Sequence, residues 1–176
     1  ALSKLIWFIS TPIFERHIKK KIKSNNIICV APDVGGTARA RALGKLLNVG
    51  LAIVDKRRPS PGRSEVMNVI GNVNNKTCII VDDIIDSGGT IVNAAKVLKE
   101  KGAKDVHVYV SHGVLSGGAV EKIKNSKIKN LVITDTIDNS EKVKKVKNIE
   151  ILSISHLVGE AIKRISNSTS VSDLFN

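Results

Sequence analysis

The residues from Thr77 to Thr90, TCIIVDDIIDSGGT, limit what this chain can fold into more than any other stretch. Cys78 to Val81 is apolar without alternation, the pattern of a strand buried on both faces of a parallel sheet. Two adjacent acids, Asp82 and Asp83, end that run, and Gly88-Gly89-Thr90 opens a helical pattern from Ile91 onward. Strand, tight loop and helix N-terminus in that order present unpaired backbone N–H groups at the positive end of a helix, where a phosphate monoester binds well. The stretch therefore reads as a site for a sugar with a terminal phosphate. The amides of residues 86 to 90, Asp86 through Gly88 and Gly89 to Thr90, face the phosphate together with the Ser87 and Thr90 hydroxyls. Asp82 and Asp83 accept from sugar hydroxyls, and acids so placed also raise the local occupancy of Mg²⁺.

A second strand, glycine loop and helix follows the same plan. Ile27 to Ala31 runs into Pro32-Asp33-Val34-Gly35-Gly36-Thr37, and Ala38 to Leu47 is helical. Gly35 and Gly36 permit close approach of backbone to a ligand. Asp33 is placed to hold a cation, and Arg39 or Arg41 to neutralise phosphoryl oxygens. No Gly-Lys-Ser or Gly-Lys-Thr follows, so this is not a Walker A loop. The third element is Lys56-Arg57-Arg58, at the start of a segment with Pro59 and Pro61 and no apolar period. We expect a flexible exposed loop over 56–65, whose cations clamp charge that develops on a transferring group. No histidine is spaced with an acid and a serine as a hydrolytic triad requires, and no zinc-like cluster occurs. His17, His107 and His156 read as structural, and His112 ends a strand, where contact with the site is the less favoured reading.

Taken in order, the chain predicts a helix from Pro12 to Lys23 with Thr11 as cap, and further strands at Leu51 to Val54, Val106 to Ser111, Leu131 to Thr134 and Ile149 to Ile154. Glu65 to Ile70 is a short extended segment. Helices are expected from Ile91 to Lys101, after Gly117-Gly118 as far as Lys124, and from a Ser155 cap through Ile165. Five strand-helix units give an α/β fold: one domain over 1–176, a mostly parallel twisted sheet with helices on both faces, and a site beyond the strands' carboxyl ends. Aromatics are only 3% of the chain, so Ile, Val, Leu and Ala must fill the core. The net charge of +12 attracts anions. Its lysines, as in Lys19-Lys20-Lys21 and Lys142 to Lys147, read as solvated helix faces without the aromatic interleaving that stacks bases, so no nucleic-acid partner is expected. No apolar run is long enough to span a membrane. Leu2 to Ile9 is short for a leader's apolar region. Cys29 and Cys78 lie inside apolar strands, where packing is the expected role.

These motifs together closely resemble the ribose-phosphate pyrophosphokinase family. The likeness runs through Pro32 to Arg41, Asp55-Lys56-Arg57-Arg58-Pro59, Glu65 to Gly71, Val81 to Thr90, Ser126 and Ser170-Val171-Ser172. It implies a type I phosphoribosyltransferase-like fold and transfer of the diphosphoryl group of ATP to the 1-hydroxyl of ribose 5-phosphate, with Mg²⁺ required. By resemblance, Asp82 to Thr90 is the ribose 5-phosphate loop, Asp33 belongs to the cation site, Arg39 meets ATP phosphates, and Lys56 and Arg58 are the catalytic pair. Cytoplasmic location and a homo-oligomer, a hexamer built from dimers, are implied for the full-length family. Family members also carry an amino-terminal domain that nothing here resembles. The chain is therefore expected to be the carboxyl-terminal half, holding the sugar phosphate but making little product alone. The alternatives are a type I phosphoribosyltransferase, which shares the Asp-Asp…Gly-Gly-Thr loop, and a non-catalytic synthetase-associated regulatory subunit.

Overall fold

The computed structural model describes residues 2–57 and 66–171. Helix α1 (Leu2–Lys21) precedes β1 (Ile27–Ala31), α2 (Thr37–Leu47), β2 (Gly50–Arg57), β3 (Val66–Ile70) and β4 (Thr77–Ile85). There follow α3 (Gly89–Glu100), β5 (Asp105–Gly113), α4 (Ala119–Lys124), β6 (Asn130–Thr134), α5 (Ser140–Val143), β7 (Ile149–Leu152) and α6 (Ser155–Ser166). The seven strands form one sheet in the order β3-β2-β1-β4-β5-β6-β7. All neighbours are parallel except β2 and β3, and the expected α/β architecture is what the chain adopts.

Two apolar layers sandwich the sheet. Cys29, Ala31, Ile79, Val81 and Tyr109 turn toward Phe14 and Ile18 of α1 and Ala40 and Leu43 of α2. Their strand neighbours Val30, Cys78, Ile80, Val108 and Ile133 face Ile91, Ala94 and Leu98 of α3 and Ile123 of α4. Strand residues alternate between faces, so a central strand buried on both must be apolar throughout. Cys78, Ile79, Ile80 and Val81 are each fully buried.

Several elements differ from the sequence reading. Helix α1 does not begin at Pro12 but passes through it. A proline inside a helix costs about 3 kcal/mol in local terms. Tertiary contact offsets that cost: Ser10 and Thr11 are buried, and the Ser111 hydroxyl donates to the Ser10 hydroxyl at 3.1 Å. The expected start of the loop at residue 56 also moves. Lys56 and Arg57 belong to β2, opposite Met67 and Val66 of the antiparallel edge strand; residues 58–65, including Arg58, lie outside the described residues.

Strand β4 runs on to Ile85, through the acids expected to lie beyond its end, because Asp82, Ile84 and Ile85 pair with Val110, His112 and Gly113 of β5. Ser155, expected as a cap, is the first residue of α6; Ile154 flanks it and donates its N–H to Asp135 Oδ1 at 2.9 Å. No residue of α6 is buried, and Ile162 and Ile165 are 62% and 67% exposed. Among the described residues no helix is long and apolar enough to cross a membrane.

Candidate functional site

The chain leaves β1 toward β2 on one side of the sheet and returns to β4 on the other, so β1 and β4 flank the reversal of strand order. Loops diverge at such a point and leave a crevice beyond the carboxyl ends of the strands. A cavity of about 220 Å³ occupies it, bounded by Asp33 and Asp82 and by residues 84–91. The registered pairing of β1 with β4 reaches only Val30 and Ile80, whereas β4 continues beside β5, which brings Asp82 to the cavity wall.

The phosphate end is backbone. Gly88 precedes α3 with φ 75°, a left-handed conformation that costs glycine little. The first helical bond near the loop runs from Val92 N–H to Gly88 O at 2.9 Å. The N–H groups of Ser87, Gly88, Gly89, Thr90 and Ile91 meet no protein acceptor among the described residues. Orphan donors at the first turn of a helix, open to a cavity, suit an anion.

The acid end is a charged cluster. Arg39, on α2, donates from Nη2 to Asp82 Oδ1 at 2.7 Å and lies 3.4 Å from Asp83 Oδ1. The Asp83 amide also donates to Asp82 Oδ1 at 2.9 Å. Burial pushes the Asp82 carboxyl up to about 6, with the Asp83 side chain adding to the rise and Arg39 opposing it. Arg39 Nε is buried with no acceptor among the described residues, a donor that an anionic ligand would satisfy. Asp33 Oδ1 accepts the Gly36 N–H at 2.8 Å, closing the turn that starts α2, and a Cβ on Gly35 would stand 3.2 Å from the same oxygen.

Of the expected residues, the fold brings Asp33, Asp82, Asp86, Ser87, Gly88, Gly89 and Thr90 around one cavity. Arg39 and Asp83 join it through the ion-pair cluster rather than by lining it. Arg41 points elsewhere and lines a separate surface depression with Val34 and Lys45. His112 Nδ1 lies 3.0 Å from Thr136 Oγ1, away from the cavity wall. Sequence reasoning gave no site role to Ser116 and Lys122, although Ser116 Oγ donates to Asp86 Oδ1 and Lys122 Nζ donates to Ser87 O at 3.3 Å. The signal was Gly117-Gly118, a third glycine pair opening a helix.

No group of three or more His, Cys, Asp or Glu side chains placed to hold a metal occurs among the described residues. Mg²⁺ characteristically takes one or two carboxylates together with substrate phosphates and water. Asp33 and Asp82, which line the same cavity, are carboxylates of the type such an ion takes.

Fold and cavity together define a type I phosphoribosyltransferase-like α/β protein. A phosphoribosylpyrophosphate synthetase from Mycobacterium smegmatis superposes with a TM-score of 0.82 at 32% identity, over 90% of this chain and 51% of that one. An adenine phosphoribosyl transferase from Trypanosoma brucei, at TM-score 0.56 and 16% identity, shares the fold alone. The family described as "phosphoribosyl synthetase-associated domain" matches residues 58–176. Curated ribose-phosphate pyrophosphokinases from Bradyrhizobium diazoefficiens and Hyphomonas neptunium are 56% and 57% identical over 167 and 166 residues, covering 95% and 94% of the chain and 53% of each relative. The chain belongs to the ribose-phosphate pyrophosphokinase family, and it spans about half the length of the curated relatives it matches.

Proposed function

We propose that this chain is the carboxyl-terminal, sugar-phosphate-binding half of a ribose-phosphate diphosphokinase. In the reaction, the 1-hydroxyl of ribose 5-phosphate attacks the β-phosphorus of ATP, the bond to the α-phosphate oxygen breaks, and phosphoribosyl pyrophosphate and AMP result. The amides of residues 87–91 and the Ser87 and Thr90 hydroxyls hold the 5-phosphate, while Asp82 and Asp83 orient the ribose hydroxyls. Arg39 meets nucleotide phosphate, for which its unpaired Nε–H is the supporting observation. Asp33 would hold Mg²⁺, which when bound neutralises phosphate oxygens. Lys56 and Arg58 stabilise the group in transfer, since positioning and electrostatics supply most of the acceleration in phosphoryl transfer.

The observation that carries this reading is the row of unpaired amides that lines one cavity together with Asp82. On this reading the nucleotide-gripping residues belong to the amino-terminal domain that the family resemblance implies, and these 176 residues by themselves bind ribose 5-phosphate without appreciable turnover. Calorimetric titration with ribose 5-phosphate, paired with an assay of AMP formation from ATP, tests both points. Saturable binding with turnover far below that of a full-length relative is expected; absence of binding refutes the site, and turnover equal to the relative's refutes the division of labour. The phosphoribosyltransferase alternative predicts consumption of phosphoribosyl pyrophosphate with a nucleobase, which we expect not to occur.

A further inference from the structure

Four hydrogen bonds from the connection between β5 and α4, and a fifth from Lys122 of α4, end on the three consecutive residues Ile85, Asp86 and Ser87, which carry β4 into the candidate phosphate loop. The Val114 and Leu115 amides donate to Ile85 O at 2.9 and 3.2 Å, and the Ser116 amide donates to Asp86 O at 3.2 Å. The Ser116 hydroxyl donates to the Asp86 carboxylate, and Lys122 Nζ to Ser87 O at 3.3 Å. Helix α4 packs close to the same turn: a Cβ on Gly88 would lie 3.7 Å from Ala119 and Ile123, both fully buried. Lys122, next to Ile123, is therefore anchored at its backbone while its ammonium stays exposed beside the loop.

The charge balance of the cavity needs such a cation. Asp33, Asp82 and Asp86 line it, and no basic side chain does among the described residues. Arg39 is already engaged by Asp82 and Asp83. A phosphate monoester carries nearly two negative charges at neutral pH, and amide dipoles alone must then offset the neighbouring Asp33 and Asp86 carboxyl groups, since Arg39 serves Asp82. Glu121 lies 3.5 Å from Lys124 and does not pair with Lys122 in the structure. Lys142 reaches only as far as Val114 O, at 3.4 Å.

We propose that Lys122 is a specificity-determining residue for the phosphate end of the site. Its ammonium moves from the Ser87 carbonyl to a phosphate oxygen, and the Ser116 hydroxyl occupies the Asp86 carboxylate that would otherwise compete for it. The inference rests on reading the cavity as the ribose 5-phosphate site.

The test is calorimetric titration of the whole chain with ribose 5-phosphate in the presence of a chelator, at low and at near-physiological salt. The proteins are the wild type, Lys122→Gln, Lys122→Arg and Lys96→Gln, the last removing the same charge from an exposed position on α3. Lys122→Gln should weaken binding about tenfold, as expected for loss of one hydrogen bond to a charged group, and should flatten the salt dependence. Arginine at 122 should restore most of the affinity, and Lys96→Gln should match the wild type. Equal affinity in Lys122→Gln and wild type overturns this inference while leaving the sugar-phosphate site intact. Equal losses in Lys122→Gln and Lys96→Gln, or a loss with unchanged salt dependence, overturn it as well. A wild-type chain that binds no ribose 5-phosphate overturns the site and the inference together.

Discussion

The Asp82 carboxyl lies between the apolar end of β4 and the Arg39 guanidinium, and burial pushes it up to about 6. The folded chain therefore binds this proton more tightly than the unfolded chain, whose aspartate titrates near ~3.9. Stability from this group is fully present below that value and is lost as pH rises toward about 6. Asp82→Asn cannot titrate, so between pH ~4 and ~7 the wild type should lose on the order of 2 kcal/mol relative to the variant. Denaturation midpoints across that range check this, and parallel pH profiles for the two proteins would contradict it. The thiols give an independent check. Burial pushes Cys29 and Cys78 up to about 12, so neither supplies appreciable thiolate at neutral pH. A thiol reagent should label neither in the folded chain and both after denaturation. The packing role of these cysteines was legible from their apolar neighbours; the Arg39 bridge was not, because 43 residues separate Arg39 from Asp82 and only the fold brings them together.

Each strand, glycine loop and helix was recognisable because an apolar run and a glycine pair are local signals. Boundaries set by pairing were less so. Strand β4 continues through polar Asp82 and Asp83 because β5 offers a partner, and β2 takes in Lys56 and Arg57 because β3 folds back beside it. Pro12 looked like a helix start, and burial of the residues before it carries α1 onward. The elements that position the site make their own predictions. Ile80 is fully buried against α3, so Ile80→Ala should cost about 2–5 kcal/mol in urea unfolding. Gly88→Ala should cost about 1–2 kcal/mol, because φ 75° strains any residue with a Cβ while the neighbouring atoms, at 3.7 Å, leave room for it. It should also weaken ribose 5-phosphate binding by turning the loop amides; unchanged stability and affinity would contradict the role assigned to that turn.

Across the whole molecule, two apolar layers hold the sheet rigid and leave the loops at its carboxyl edge to carry the chemistry. Helix α6 stands apart from both layers. It carries a stripe of Leu157, Val158, Ala161, Ile162 and Ile165, but a periodic pattern reports only that a face is apolar, and nothing local to α6 specifies what that face meets. Replacing Ile162 and Ile165 with lysine should change the stability of this chain by no more than about 0.5 kcal/mol for each substitution, far less than the loss at Ile80. A large drop in the unfolding midpoint would contradict the exposure of that face. The central claim is that the amides opening α3 grasp the phosphate of ribose 5-phosphate. Its most direct test is to follow backbone ¹⁵N–¹H resonances during titration with that ligand. The account predicts that the largest saturable shifts fall at residues 87–91, with smaller ones at Asp82 and Asp83. Binding that leaves those amides unmoved and perturbs another surface would contradict it.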